Sequence, residues 1–232
     1  MISIIIPTYN EEKYLPRLLN CIKNQNYEDY EIIVADANSK DKTRQIAKRY
    51  GCKIVKGGMP AVGRNNGAKA AKGNILLFLD ADSIIQEDFI KNALNDIQNR
   101  KLDVAGSYLY PLSGKFIDII FLEIFNLWIF ITQFFYPNAC GSGIFCKKAL
   151  HEKVKGFDET IKLSEDMDFV RRCGKFGKFG IIKNSKLIYS MRRYDKEGRF
   201  KVGFKLFLSA LYRLFFGEIK NDAFKYNLRY RK

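Results

Sequence analysis

Leu76-Leu77-Phe78-Leu79-Asp80-Ala81-Asp82 is the stretch on which the reading of this chain turns. Four apolar residues in succession describe a strand covered on both faces, as in parallel sheets. Two carboxylates one residue apart follow at once, at the carboxyl edge where α/β proteins hold their ligands. Alternation turns Asp80 and Asp82 the same way. Two hard oxygen donors on one side suit Mg²⁺ or Mn²⁺ bridging a diphosphate.

The same grammar extends on both sides of that stretch. Ile2–Ile6, Glu31–Ala35, Lys53–Lys56 and Ile75–Leu79 read as strands, with a further one at Val104–Tyr108. Glu12–Asn24, Lys42–Tyr50, Val62–Lys72 and Glu87–Gln98 read as the helices between them. Apolar strands each followed by a helix are βαβ units, so the fold class is α/β with a sheet flanked by helices. With 232 residues, 47% of them hydrophobic, the chain has ample material for a core. Disorder, a collagen-like fibre and a small disulfide scaffold are excluded. Five scattered cysteines without a C-x-x-C pair, and a single histidine, His151, give no structural zinc pattern. The thiols are expected to be reduced in a cytoplasmic protein, and the first residues carry no signal-peptide pattern. His151 is assigned no role.

Three further segments sharpen the picture. Ile2-Ser3-Ile4-Ile5-Ile6-Pro7-Thr8-Tyr9-Asn10-Glu11 is a first strand running into a polar turn. Ile32-Ile33-Val34-Ala35-Asp36 is a second strand, ending in an acidic, Asn/Ser-rich loop through Thr43. Gly63-Arg64-Asn65-Asn66-Gly67 stands ahead of an Ala-rich helix and the strand of the carboxylate pair. From residue 2 to about 175 the chain resembles the family 2 glycosyltransferases, which have the GT-A fold, a Rossmann-like, mixed and mainly parallel sheet. The resemblance implies that Pro7, Thr8, Tyr9 and Glu11 border the nucleotide pocket and that Asp36 accepts hydrogen bonds from the base. Arg64 would face the diphosphate, Asp82 would bind the metal directly, and Asp80 would lie near the ribose or the metal.

Leu163-Ser164-Glu165-Asp166-Met167-Asp168-Phe169, after Gly156-Phe157-Asp158-Glu159, matches the family's second signature. The match makes Asp166, with Glu165 beside it, the choice for the general base at the acceptor. Helix-start chemistry accounts for the same residues, with Ser164 as cap and the acids complementing the dipole. Gly141-Ser142-Gly143-Ile144-Phe145 resembles the segment lining the donor-sugar and acceptor pocket. Ser190-Met191-Arg192-Arg193-Tyr194 stands where processive members carry Gln-x-x-Arg-Trp, which argues against polymer extension. Arg192 and Arg193 remain candidates for clamping the donor diphosphate or a lipid phosphate.

Charge and greasiness both concentrate late in the chain. The net charge is +15, of which residues 171–232 contribute +14. Phe116–Tyr136 is almost wholly apolar, with Asp118, Asn126 and Gln133 in one narrow helical sector. Lys201, Lys205, Ser209 and Arg213 recur every four residues against Phe204, Phe207, Leu208, Leu211 and Phe215, a basic amphipathic pattern suited to a lipid interface. A single bilayer crossing at Phe116–Tyr136 would put Asp82 and Asp166 on opposite sides of the membrane, so a flat, re-entrant or protein-buried segment is expected.

The domain reading is a GT-A unit over 1–195, with a nucleotide-sugar half (1–110) and an acceptor half (111–195), followed by a basic amphipathic segment (196–232). The expected activity is metal-dependent, inverting transfer of a sugar from a UDP- or GDP-sugar to a glycan or polyprenyl-phosphate-type acceptor. The expected setting is the cytoplasmic face of a membrane, with a homodimer as an option for the greasy face. A sugar nucleotidyltransferase is disfavoured because Pro7–Glu11 lacks a Gly-rich, basic first loop. A non-enzymatic polyanion binder is disfavoured because no nucleic-acid module is recognisable.

Overall fold

The computed structural model describes residues 1–221 and 224. In chain order the elements are β1 (Ile2–Thr8), α1 (Leu15–Lys23), β2 (Tyr30–Asp36), α2 (Thr43–Arg49), β3 (Lys53–Lys56), α3 (Pro60–Ala70), β4 (Ile75–Phe78), β5 (Ile84–Ile85) and α4 (Phe89–Arg100). Then come β6 (Val104–Pro111), α5 (Phe116–Thr132), β7 (Ile144–Lys147), α6 (Lys148–Lys153), α7 (Glu165–Gly174), β8 (Phe179–Tyr189), α8 (Arg192–Glu197) and α9 (Arg199–Phe216). One eight-stranded sheet runs β3-β2-β1-β4-β7-β6-β8-β5. The strands from β3 to β4 are parallel. β7 runs antiparallel to both β4 and β6. The sheet is therefore mixed, with helices on both faces.

All seven residues of β1 are buried, so it forms the floor between β2 and β4. Its register pairs Thr8 with Asp36 and Ile5 with Phe78, which brings the two polar turns and the carboxylate pair to one edge. Antiparallel β7 returns the chain to the same place, and the Gly143 amide donates to the Phe78 carbonyl at 2.8 Å.

Helix starts follow proline. α1 begins at Leu15 and not at residue 12, because Pro16 lacks the N–H that an earlier start would require. α3 begins at Pro60, two residues ahead of expectation, since proline suits the first helical turn. The Gly63–Gly67 segment thus lies within α3. A Cβ on Gly67 would sit 2.3 Å from Ile5 Cγ2, so glycine lets α3 lie directly on β1. Arg64, between the two glycines, is carried down into the protein and is only 4% exposed.

The two greasy helices are turned inside out. Asp118, Asn126, Thr132 and Gln133 of α5 are buried, while Ile124, Leu127, Phe130 and Ile131 are exposed, as is Phe134 just beyond, at 80%. Asn126 donates to and accepts from the backbone of Leu109, fixing α5 to β6. In α9, Ser209 and Arg213 are buried, and Phe204, Phe207, Leu211 and Phe215 face out. Of the basic stripe expected at a lipid surface, Arg213 and the intervening Ser209 therefore point into the body. α5 and α9 pack together through Phe121 and Phe200 and through Arg199, whose guanidinium bonds both oxygens of Asp118. After α9, Leu163 and Ile219 form an isolated antiparallel bridge. The last part of the 196–232 segment lies outside the described residues.

Candidate active site

Asp36 ends β2 and is held from three sides. Thr8 Oγ1 donates to its Oδ2 at 3.3 Å, the Ser39 amide donates to Oδ1 at 3.0 Å, and Arg44 lies 3.6 Å away. Pro7 and Thr8 are buried beside it and Tyr9 is half-buried. This is a rigid acceptor at the sheet edge, where a buried carboxylate is matched to N–H donors.

Arg64 is the hub. It donates to Glu165 Oε1 at 2.7 Å and to Asp80 Oδ1 at 3.0 Å. It thereby ties the first acidic motif to the second, whose Glu165 lies 101 residues beyond Arg64 in the chain. Burial disfavours the guanidinium's charge, but Asp80, Glu165 and Asp166 more than compensate and raise its pKa. Its Nε is buried without a hydrogen-bond partner among the described residues. A Cβ on Gly141 would fall 2.5 Å from Arg64 Nη2 and 3.0 Å from Asp166 Oδ2, so Gly141 backbone, guanidinium and carboxylate converge. Burial pushes the Asp166 carboxyl above the usual carboxylate range, Glu165 adds to this, and Arg64, the Met167 amide and Arg213 oppose it. The Met167 amide donates to Asp166 Oδ1 at 2.8 Å.

Asp80 and Asp82 are related by a turn, not by the pleat. β4 stops at Phe78, and the Ser83 amide bonds the Asp80 carbonyl at 3.0 Å. The Asp80 amide donates to Ser142 Oγ at 3.0 Å, tying the turn to the Gly141–Gly143 segment. Asp82 Oδ2 meets Arg192 Nε at 2.6 Å. The other two nitrogens of Arg192 bond both oxygens of Glu11, at 2.8 and 2.7 Å. Burial lifts the Asp82 pKa to about 6, Arg192 opposes the rise, and Asp80 and Glu11 reinforce it.

One sequence expectation changes here, and two candidate residues are found paired within the chain. Ser164 makes no side-chain cap; it takes a left-handed backbone (φ 63°), so α7 opens on the dipole-complementing acids alone. Arg192 is engaged by carboxylates of this chain. Arg193 bonds Glu197 at 3.3 Å, a pairing within α8. Long-range partners were the ones missed: Glu11 for Arg192, and Met167 and Arg171 of α7 for Arg213 and Glu218. No periodicity marks such pairs.

Among the described residues no three His, Cys, Asp or Glu side chains are grouped to hold a metal. A protein-only cage is not required for Mg²⁺ or Mn²⁺ delivered with a diphosphate, which typically takes one or two carboxylates plus phosphate oxygens and waters. Asp80, 33% exposed, and the destabilised anion of Asp82 fit that pattern.

Comparison with known proteins gives a consistent result. Solved structures share the fold: TarS 1–349 of Staphylococcus aureus in complex with UDP-GlcNAc has a TM-score of 0.69 at 21% identity, covering 91% of this chain and 66% of that one. The mannosyltransferase PcManGT of Pyrobaculum calidifontis, in complex with GDP-Man and Mn²⁺, has a TM-score of 0.74 at 18% identity, covering 90% and 61%. The poly(ribitol-phosphate) β-N-acetylglucosaminyltransferase TarS of S. aureus is 26% identical over 203 residues, 82% of this chain and 35% of its own length. A dolichyl N-acetyl-α-D-glucosaminyl phosphate glucuronosyltransferase of Methanococcus voltae is 28% identical, covering 82% and 66%. The chain thus spans about a third of the length of the first of these relatives. The profile of glycosyl transferase family 2 matches residues 3–154. With its α/β fold and its motifs in order, the chain belongs to glycosyl transferase family 2.

Proposed function

We propose that this chain is an inverting glycosyltransferase taking a UDP- or GDP-sugar as donor and a glycan or lipid-linked phosphate as acceptor. The carrying observation is the Arg64 bridge, which joins Asp80 to Glu165 and brings Asp166 to the same point. In this reading Asp36, braced by Thr8 and Ser39, accepts from the base N–H, with Pro7, Tyr9 and Glu11 bordering the pocket. Asp82 and Asp80 hold Mg²⁺ or Mn²⁺, which would supply charge neutralisation for the departing diphosphate. Arg192 exchanges its carboxylate partners for diphosphate oxygens when donor enters.

Asp166 faces the acceptor. It takes the hydroxyl proton onto a carboxylate oxygen as the acceptor oxygen bonds the anomeric carbon. The bond from that carbon to the diphosphate breaks, and its electron pair leaves with the nucleotide. A base whose pKa is raised by burial is well matched to this task near neutral pH.

The apolar outer faces of α5 and α9 support docking on the cytoplasmic face of a membrane. No described helix is long and apolar enough to cross one. The lipid-carrier and polyol-phosphate acceptors in the relatives' names support an acceptor bearing phosphate.

The test is a thermal-shift screen of UDP- and GDP-sugars with and without Mn²⁺, because a ligand that binds the native state raises its melting point. A metal-dependent rise with one base is expected. Asp82→Asn should abolish that rise and lower transfer at least about 100-fold, and Asp166→Asn should abolish transfer while keeping the rise. Wild-type transfer in both variants would overturn the reading.

A further inference from the structure

We infer that Arg213 of α9 is a positioning residue for Asp166, a cation set behind the acceptor-side carboxylate by the helix whose outer face is apolar. The inference rests on the reading of Asp166 as the base. Arg213 is only 3% exposed. Its Nε donates to Glu218 Oε2 at 2.9 Å, and its Nη1 lies 3.1 Å from Met167 Sδ, one residue from Asp166. Its Nη2 is buried and has no hydrogen-bond partner among the described residues. A buried guanidinium with an N–H to spare is costly unless a nearby anion uses its charge.

Glu218 does not exhaust that charge, because it is shared with Arg171 of α7, which also bonds the Tyr136 hydroxyl. Asp168, the acid on the other side of Met167, is taken by Arg172 at 2.7 Å and lies 3.8 Å from Arg171, so three guanidiniums meet two carboxylates, and the remaining acid beside Met167 is Asp166. Anchoring the chain after α9 does not explain the arginine either. That anchoring is made without it by the Lys162 amide donating to the Ile219 carbonyl at 2.8 Å, by Ile219 bridging Leu163 and by Lys220 pairing with Asp158 at 3.3 Å.

The other groups facing Asp166 are known. Glu165, on its own helix, raises its pKa, while Arg64 from α3 and the Met167 amide lower it. Cys140, before β7, is kept a neutral thiol by burial and by the Asp166 and Asp80 charges. Arg213 is thus a charge near Asp166 that comes from outside the Arg64 cluster, and it rides on a helix that meets the surroundings of the protein.

The experiment follows the Asp166 carboxyl by ¹³C NMR in protein labelled at the aspartate carboxyl carbon, with Asp166→Asn identifying the resonance. In Arg213→Met the titration midpoint should rise by about half to one pH unit, and Arg213→Lys should return it most of the way. An unmoved midpoint in Arg213→Met overturns the inference. Should that variant not fold, Arg213→Gln, which keeps a hydrogen-bond donor for Glu218 and removes the charge, takes its place with the same criterion. The transfer assay separates this from the parent reading. Full activity in Asp166→Asn sinks the base assignment, whereas an inactive Asp166→Asn with an unmoved midpoint in Arg213→Met sinks only the role of Arg213.

Discussion

His151 is walled in by aromatic rings, with Phe169 at 5.5 Å, Phe78 at 6.0 Å and Phe157 at 6.2 Å between centroids. Burial, with Arg172 and Lys148 adding to it, lowers its pKa to about 4, so the imidazole stays neutral in the folded protein. The unfolded chain takes up a proton near pH 6.5 and the native state does not. The histidine's contribution to stability is therefore full above that pH and is lost as pH falls towards 4, by at most about 3 kcal/mol. His151→Phe is expected to flatten the fall in melting temperature between pH 6.5 and 4 by a matching amount, measured by calorimetry at several pH values. An unchanged slope would contradict it. The lone histidine was assigned no role for want of companion ligands, and its burial in the core was not legible. The roles of Asp82, Asp166 and Arg64 were suggested by short local patterns that survive in one dimension. The partner of Arg192, 181 residues away at Glu11, was not, because nothing in either segment announces the other.

Element boundaries were governed by residues with unusual backbones. Pro16 and Pro60 set where α1 and α3 begin, and the expected ranges missed both by ignoring the absent N–H. β7 and β8 were not read at all. β7 has four residues, and in β8 Lys183-Asn184-Ser185-Lys186 breaks the apolar alternation where a register shift opposes Ser107/Tyr108. α3 shows how tightly one contact positions the site. Gly67→Ala brings the better helix former, worth about 1 kcal/mol. It also places a methyl 2.3 Å from Ile5 Cγ2, and overpacking of that severity costs about 1–3 kcal/mol. The clash wins if α3 moves off β1 and takes Arg64 with it. The expected result is a melting temperature lower by a few degrees together with a weaker nucleotide-sugar shift; a stabilised variant would show that α3 has room to spare.

Taken together, α5 and α9, which meet at Phe121 and Phe200, each turn an apolar face outward. The polar sector of α5 was legible in the sequence. That it faces inward was not, because sidedness depends on Asn126 reaching Leu109 and Asp118 reaching Arg199. A surface of this kind needs cover. In flotation with phosphatidylglycerol-containing vesicles, the protein is expected to float, less so at 1 M salt, with Phe204→Ser/Phe207→Ser sinking. Protein that stays down at any salt and runs as a dimer in light scattering would give this face to a second copy.

On the proposed reading, donor entry is finally a substitution and not a filling. The Arg192 guanidinium spans Glu11 and Asp82 and lies over the Tyr14 ring, 4.5 Å from its centroid. In that reading an arriving pyrophosphate would inherit a pre-loaded counterion, and two carboxylates would have to find another. Measured affinity will then report the preference of that guanidinium between two sets of oxygens, and will understate the number of new contacts formed.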